Sequence, residues 1–299
     1  MAEYVGLDVS KEETSFCVVD EAGKVLCQGK ADSDPAALFS ALRDSCLCPD
    51  LVVLETGTLS KWLARGLRER GLTLEMIDAR HAHAVMGLQL NKSDTSDAML
   101  LAKIAQTGFY RSVRVGSIEA QERHAALKAR KQLIKSVRSA ENTVRGLLGS
   151  FGARFPKGVG QFPVRIREAL EEHPALSPAI EPLLKVIEIL RREILSISRH
   201  IATQAKTDSA CRLLMTIPGV GALTAQAVVA SIDDPSRFSS SRKVGAYFGL
   251  TTRRYQSGEK DISGRISRTG DSMARALLYA AANSMIVHVD RDHPLKDWA

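Results

Sequence analysis

The sequence predicts a mixed α/β protein in three parts: an α/β domain over residues 1–112, a long helical arm over 113–208 and a mostly α domain over 209–299. Three observations predict it. The first third alternates short β-branched runs with amphipathic stretches, the pattern of strands and helices that share one core. The middle third holds two long segments with few Gly or Pro breakers. The last third opens on a Gly/Pro turn and carries small, polar and basic loops ahead of an Ala-rich helix.

The elements follow in order. Tyr4 to Val9, Thr14 to Val19 and Lys24 to Gly29 are three short strands, with Glu21-Ala22-Gly23-Lys24 as a hairpin turn. Pro35 to Arg43 is an amphipathic helix, capped by Asp34 ahead of a proline at its first position. Leu51 to Glu55 is a buried strand, Leu59 to Arg70 a helix closed by Gly71, and Leu72 to Ile77 another strand. A helix from Asp94 to Thr107 completes the domain. The order βββαβαβα, with acids on the first strand, the fourth strand and a late helix, is the ribonuclease H-like arrangement.

Residues 117–148, rich in Ala, Lys, Arg and Leu, form a long helix. The Gly, Pro and Phe of 151–163 turn the chain, and Pro178 to Lys206 is a second long helix. Its stripe of Leu183, Leu184, Ile187, Leu190, Ile194, Ile197 and Ile201 suits an antiparallel coiled-coil arm, packed within the chain or against a second copy. Leu213 to Ala222 contains Ile217-Pro218-Gly219-Val220-Gly221, the turn of a helix-hairpin-helix. There Gly219 and Gly221 let backbone approach a phosphate, and the next helix offers free N–H groups. Residues 249–260 and 264–270 are loops, and 272–286 is the Ala-rich helix.

Composition narrows the function. The net charge is +7 and the pI about 9.2, which favours a polyanionic partner. From Arg237 to Arg275, nine Lys or Arg stand against Glu259, Asp261 and Asp271; from Arg111 to Arg138, eight stand against Glu119 and Glu122. Two such zones suit a phosphate track. No apolar run reaches the roughly 18 to 20 residues of a membrane span, and the amino terminus lacks a signal-peptide layout. A cytoplasmic protein with no membrane partner is expected. The five cysteines are scattered without CxxC spacing, so they are reduced thiols; Cys46 and Cys48 have no second ligand pair to complete a metal site.

Four carboxylates carry the chemistry. Asp8 lies in Gly6-Leu7-Asp8-Val9-Ser10-Lys11 and Glu55 in Leu54-Glu55-Thr56-Gly57; Asp94 and Asp97 lie in Lys92-Ser93-Asp94-Thr95-Ser96-Asp97-Ala98. Asp94 and Asp97 share one helix face about a turn apart, a spacing that also suits simple capping. A carboxylate ending a buried strand, as Glu55 does, costs several kcal/mol unless paired or metal-bound. Oxygen ligands gathered from strand ends and a helix hold Mg²⁺ or Mn²⁺, and two such ions clamp a phosphodiester during in-line displacement. Ser257 lies in a Gln-Ser-Gly turn among Arg253, Arg254, Lys260 and Arg265, with Arg268 further on. Cations and a metal would activate its hydroxyl, although Ser263 and Ser267 are rival hydroxyls. His81, His83 and His124 show no triad spacing and are assigned to the surface.

These motifs resemble the transposases of the insertion-sequence 110 family, also described as bridge-RNA-guided recombinases. The resemblance covers nearly the whole chain. It rests on Gly6 to Lys11, Leu54 to Gly57, Lys92 to Ala98, Ile217 to Gly221, and Gly249-Leu250 through Gln256-Ser257-Gly258. It implies a RuvC-like domain in which Asp8, Glu55, Asp94 and Asp97 form a DEDD metal site. It implies a coiled-coil arm, and a carboxy-terminal transposase domain in which Ser257 attacks a DNA phosphate and forms a phosphoserine link. It further implies an element-encoded structured guide RNA that pairs with donor and target DNA. The assembly would be a homo-oligomer, dimer or tetramer, whose tetrad and serine come from different protomers, at the nucleoid of a bacterial or archaeal cell. Lys92, Gly219, Gly221, Arg253, Arg254, Lys260, Arg265 and Arg268 would contact nucleic acid.

Two departures stand out. Thr252 replaces the proline that usually follows Gly-Leu-Thr, and the chain ends at Ala299 where members typically continue through another basic helix. The alternatives are a junction-resolving nuclease of the same core that uses activated water, and a catalytically impaired nucleic-acid-binding form. A sugar-kinase or actin-like ATPase would need further Asp-x-Gly and Gly-Gly motifs that the chain lacks.

Overall fold

Continuous apolar runs in the first third produce a sheet whose two faces are both covered by helices. The computed structural model describes residues 2–45, 49–78, 94–155, 162–258, 260–288 and 293–298. The chain divides into two units, Met1–Gly116 and Ser117–Ala299.

In the first unit the strands are β1 (Glu3–Val9), β2 (Glu13–Asp20), β3 (Val25–Asp32), β4 (Leu51–Glu55), β5 (Leu74–Ile77) and the short β6 (Ser112–Val113). Their order is β3-β2-β1-β4-β5-β6. β1 runs parallel to β4 and β4 to β5, while the β1–β2, β2–β3 and β5–β6 pairs are antiparallel. This mixed sheet is consistent with the ribonuclease H-like arrangement; β6 is an addition to the expected elements.

One face presents Val5, Leu7, Phe16, Val18, Val52 and Leu54 to helices α1 (Pro35–Ser45) and α2 (Ser60–Glu69). Asp34 caps α1 as expected, its Oδ1 accepting from the N–H groups of Ala36 at 2.8 Å and Ala37 at 3.1 Å. The other face presents Tyr4, Cys17, Val19, Val53 and Ile77 to α3 (Asp94–Thr107), through Ala98, Leu101, Ala102 and Ile104.

In the second unit, α4 (Ile118–Gly149) and α6 (Ser177–Thr207) lie side by side. Arg123 bonds Asp208, Arg130 bonds Ser198 and Arg191 bonds Glu141. As the number rises along α4 it falls along α6, so the pair is antiparallel. The stretch expected only to turn the chain ends in a helix, α5 (Phe162–Glu172). Phe162, Ile166 and Leu170, four apart, bury one stripe with Val137, Val144, Ile180 and Leu184.

Beyond α6 come α7 (Ser209–Leu214), α8 (Ala222–Ile232), α9 (Arg242–Tyr247), α10 (Ser272–His288) and α11 (Pro294–Trp298). The segments expected as loops over 249–260 and 264–270 instead contain a hairpin, β7 (Thr252–Ser257) and β8 (Lys260–Ile266). Every residue of both strands is exposed, so no buried apolar face marked them in the sequence. Leu127 of α4 and Ile201 of α6 share a core with Ala227, Val228, Phe248 and Ala274, which ties the long helices to the carboxy-terminal elements.

Candidate active site

Asp8 and Glu55 end neighbouring parallel strands. β1 and β4 pair from Tyr4↔Leu51 to Leu7↔Leu54, and the next step of that register sets Asp8 beside Glu55. Adjacent strands lie about 4.8 Å apart, so both carboxylates lie side by side at one end of the two central strands of the sheet. Side chains alternate between faces. Tyr4, Gly6 and Asp8 therefore share the α3 face of β1, and Val53 and Glu55 share that face of β4.

Gly6 brings the third element in. A Cβ there would collide with the carbonyl oxygen of Ala98 and the amide nitrogen of Ala102. The backbone of α3 can rest on β1 only because Gly6 has no side chain. Asp97, the residue before Ala98, is only 8% exposed and starts the turn of α3 that sits on β1. Asp94 opens the same helix one turn earlier; its side chain, and Lys92, lie outside the described residues. Among the described residues no three His, Cys, Asp or Glu side chains group closely enough to hold a cation. The described members still suit a hard divalent ion: all are carboxylates, and Gly6 seats their helix on the strand that carries Asp8.

Two residues that motif reasoning missed adjoin this pair of strand ends. Ser15, buried, faces Asp8 directly across the β1–β2 ladder; the hairpin register of the first two strands could have revealed it. Asp78 follows the last residue of β5, beside the end of β4.

The second set of predicted residues lies on the β7–β8 hairpin. Ser257 is the last residue of β7 and pairs with Lys260, and Gly258 between them has a φ of 58°. Arg254 lies on the opposite face of the ribbon and forms a two-point ion pair with Asp261, at 2.7 Å and 2.5 Å. That guanidinium holds the Asp261 carboxyl below its ordinary value. Arg253 donates to the Ser267 carbonyl at 3.1 Å. Arg265 is exposed on β8, and Arg268 has a left-handed φ of 55° and donates its amide to Gly249. Arg275, counted in the basic zone, serves the scaffold: its Nη1 donates to the carbonyls of Phe248 and Thr269, both at 2.9 Å. Ser267 shares a 3.0 Å hydrogen bond with Thr269, and Ser263 lies on the Arg254 face.

The Gly-rich turn between α7 and α8 splits into two roles. Gly219 has a φ of 82°, and a Cβ there would strike the Ala281 carbonyl oxygen of α10. Its freedom is thus used to pack the turn on α10. Gly221 caps α8, and among the described residues a Cβ there would meet nothing within 4 Å, so it alone leaves the helix start open. His124, expected at the surface, is partly buried with Nδ1 3.5 Å from Asp271 Oδ2. His81 and His83 lie outside the described residues, as do Cys46 and Cys48.

Comparison with known proteins identifies relatives of nearly the whole chain. The family model described as Transposase IS116/IS110/IS902 family matches residues 211–296, and one described as Transposase, of the IS110 DEDD type, matches residues 5–152. Over 294 residues the chain is 31% identical to the transposase for insertion sequence element IS1111A of Coxiella burnetii, covering 96% of this chain and 79% of that protein. The chain belongs to the IS110 family of transposases. It is also 27% identical over 288 residues to the probable family 20 transposase of Pseudomonas aeruginosa, covering 94% of this chain and 83% of the relative. With the transposase for insertion sequence element IS1328 of Yersinia enterocolitica it shares 25% identity over 281 residues, at 93% and 82% coverage. Within this transposase the DEDD match spans all four carboxylates, and the other match spans Gly219, Gly221, Ser257 and the hairpin cations. Among the described residues no helix is long and apolar enough to cross a membrane.

Proposed function

We propose that this transposase cuts and rejoins DNA with two separate sets of its own residues. Asp8, Glu55, Asp94 and Asp97 hold divalent cations, and Ser257 is the nucleophile. The observation that carries the acidic half is the seating of α3 on Gly6, on the face of β1 that bears Asp8 and beside the strand end that bears Glu55. Mg²⁺ or Mn²⁺ bound there would supply Lewis-acid polarisation of a phosphoryl oxygen.

The chain's residues do the remaining work. Ser257 Oγ bonds to phosphorus as the bond to the departing sugar oxygen breaks, and the serine proton is taken up by that sugar oxygen. The reverse attack by a sugar oxygen on the phosphoserine releases the serine and rejoins the strand, so no bond energy is lost to water. Lys260, opposite Ser257 in the ladder, neutralises the phosphate and favours the serine alkoxide, while Arg265, toward the base of the ribbon, meets a neighbouring backbone phosphate. Arg253, Arg254 and Arg268, with Lys92 and the α8 start at Gly221, grip backbone phosphates, a mode that positions DNA without reading its sequence. Binding should therefore weaken steeply with salt.

The finer assignments belong to the same proposal. Residues 1–112 act as the RuvC-like domain, 113–208 as a coiled-coil arm, and 209–299 as the transposase domain with a helix-hairpin-helix at Gly219 and Gly221. A structured guide RNA selects donor and target DNA, and the working form is a homo-oligomer in the cytoplasm, at the nucleoid.

The deciding experiment compares Ser257→Ala and Asp8→Asn proteins on DNA spanning the element end, with and without Mg²⁺. Both should lose cleavage, and only proteins with Ser257 should carry a covalent DNA adduct. Cleavage that persists in Ser257→Ala would point instead to activated water.

A further inference from the structure

We propose that Tyr255 and Ile262 form a stacking platform for a DNA base near the phosphate that Ser257 attacks. The proposal rests on Ser257 as the nucleophile. Its basis is the ladder of the hairpin. Tyr255 pairs with Ile262, and two residues further along the same face Ser257 pairs with Lys260. From base to tip, one face of the ribbon thus carries an apolar pair and then a hydroxyl beside a cation. The other face carries Arg254 and Asp261 joined to each other, with Gln256 and Ser263 alongside.

Tyr255 is 65% exposed and Ile262 56%, and the other large apolar side chain on the ribbon, Ile266, lies at its base. Two residues along a strand advance about 6.6 Å, roughly two base rises of 3.4 Å in DNA. A base lying on the Tyr255 ring therefore belongs to a nucleotide within about two steps of the phosphate at Ser257. Charge selects the occupant. Lys260 is the next residue on the same face of β8, and Arg253 and Arg265 lie toward the base of the ribbon, which suits a polyanion whose bases offer flat apolar faces. Aromatic stacking tolerates any base, so the platform would draw one nucleotide out of the duplex and fix its phosphate without reading sequence.

The test uses the full chain carrying Ser257→Ala, which holds DNA uncut, and DNA spanning the element end with 2-aminopurine at successive positions around the cleaved phosphate. One position within about two nucleotides of that phosphate should change fluorescence on binding. The change should persist in Tyr255→Phe and vanish in Tyr255→Ala, with affinity reduced about tenfold; Ile262→Ala should weaken it less. Unchanged fluorescence and affinity in Tyr255→Ala overturn the platform alone. So does a Tyr255→Ala protein that changes only its oligomeric state, since a second copy would then cover the pair. Cleavage by the Ser257→Ala protein removes the serine reading and, with it, the placing of the platform beside that residue.

Discussion

The backbones of β1 and α3 touch at Gly6 and Ala98, where a single methyl group on Gly6 would enter the Ala98 carbonyl oxygen. The helix that begins with Asp94 and Asp97 is held on the strand of Asp8 by this absence. Gly6→Ala should therefore cost about 1–3 kcal/mol by overpacking and push Asp97 away from Asp8. Urea denaturation should show the loss, and Mg²⁺-dependent cleavage should fall further than the stability change accounts for. An unaltered denaturation midpoint would mean that the helix is not seated this way.

The two glycines of the α7–α8 turn should respond differently to alanine. Gly219→Ala meets both a left-handed φ and the Ala281 carbonyl, so thermal stability should drop by about 1–3 kcal/mol. Gly221→Ala has open space around it and should cost under about 1 kcal/mol as a poorer helix cap. A salt-sensitive loss of DNA affinity in Gly221→Ala, at near-normal stability, would report a phosphate at the start of α8.

Glu141 of α4 is 6% exposed and accepts from Arg191 of α6 at 2.6 Å. Removing one member of a buried pair costs about 3–5 kcal/mol. Arg191 retains 26% side-chain exposure, so Glu141→Ala should fall near the low end, about 3 kcal/mol. A double Glu141→Leu, Arg191→Leu protein should recover much of that loss in chemical denaturation. No recovery would locate the cost elsewhere.

Asp208 joins α6 to α7 and gives an acid-limb prediction. Burial pushes its carboxyl up, but the Cys211 amide at 2.8 Å and the Arg123 guanidinium at 2.6 Å outweigh it and hold the group below the ordinary 3.8. A depressed folded value means stability that is present above 3.8 and is lost as pH falls through the lower folded value. Asp208→Asn should lower stability near neutrality and flatten this acid limb, measured as urea midpoints against pH. An acid limb of unchanged slope would assign it to other carboxylates.

Burial, reinforced by the Asp208 carboxylate, pushes the Cys211 thiol up to about 11. At about pH 8 it should resist iodoacetamide in the folded protein and react on unfolding. Residue-resolved mass spectrometry checks this, and rapid labelling of Cys211 under native conditions would contradict it.

The sequence by itself determined most of the element order of the first domain. The apolar runs over 4–9, 14–19 and 51–55, the Asp34 cap and the start of α3 at Asp94 are local patterns, and local patterns survive folding when they agree with the core. It also identified the family, because motifs for strand ends and turns are short and contiguous. What only the tertiary structure decided is which residues meet. The adjacency of Asp8 and Glu55 depends on β1 pairing with β4 rather than β3, a long-range choice that no window of sequence contains. Likewise Gly219 and Gly221 look alike in the sequence, and only the approach of α10 separates a packing glycine from an open one. The β7–β8 hairpin escaped notice for a different reason: both its faces meet solvent, so burial wrote no periodic signal into residues 252–266.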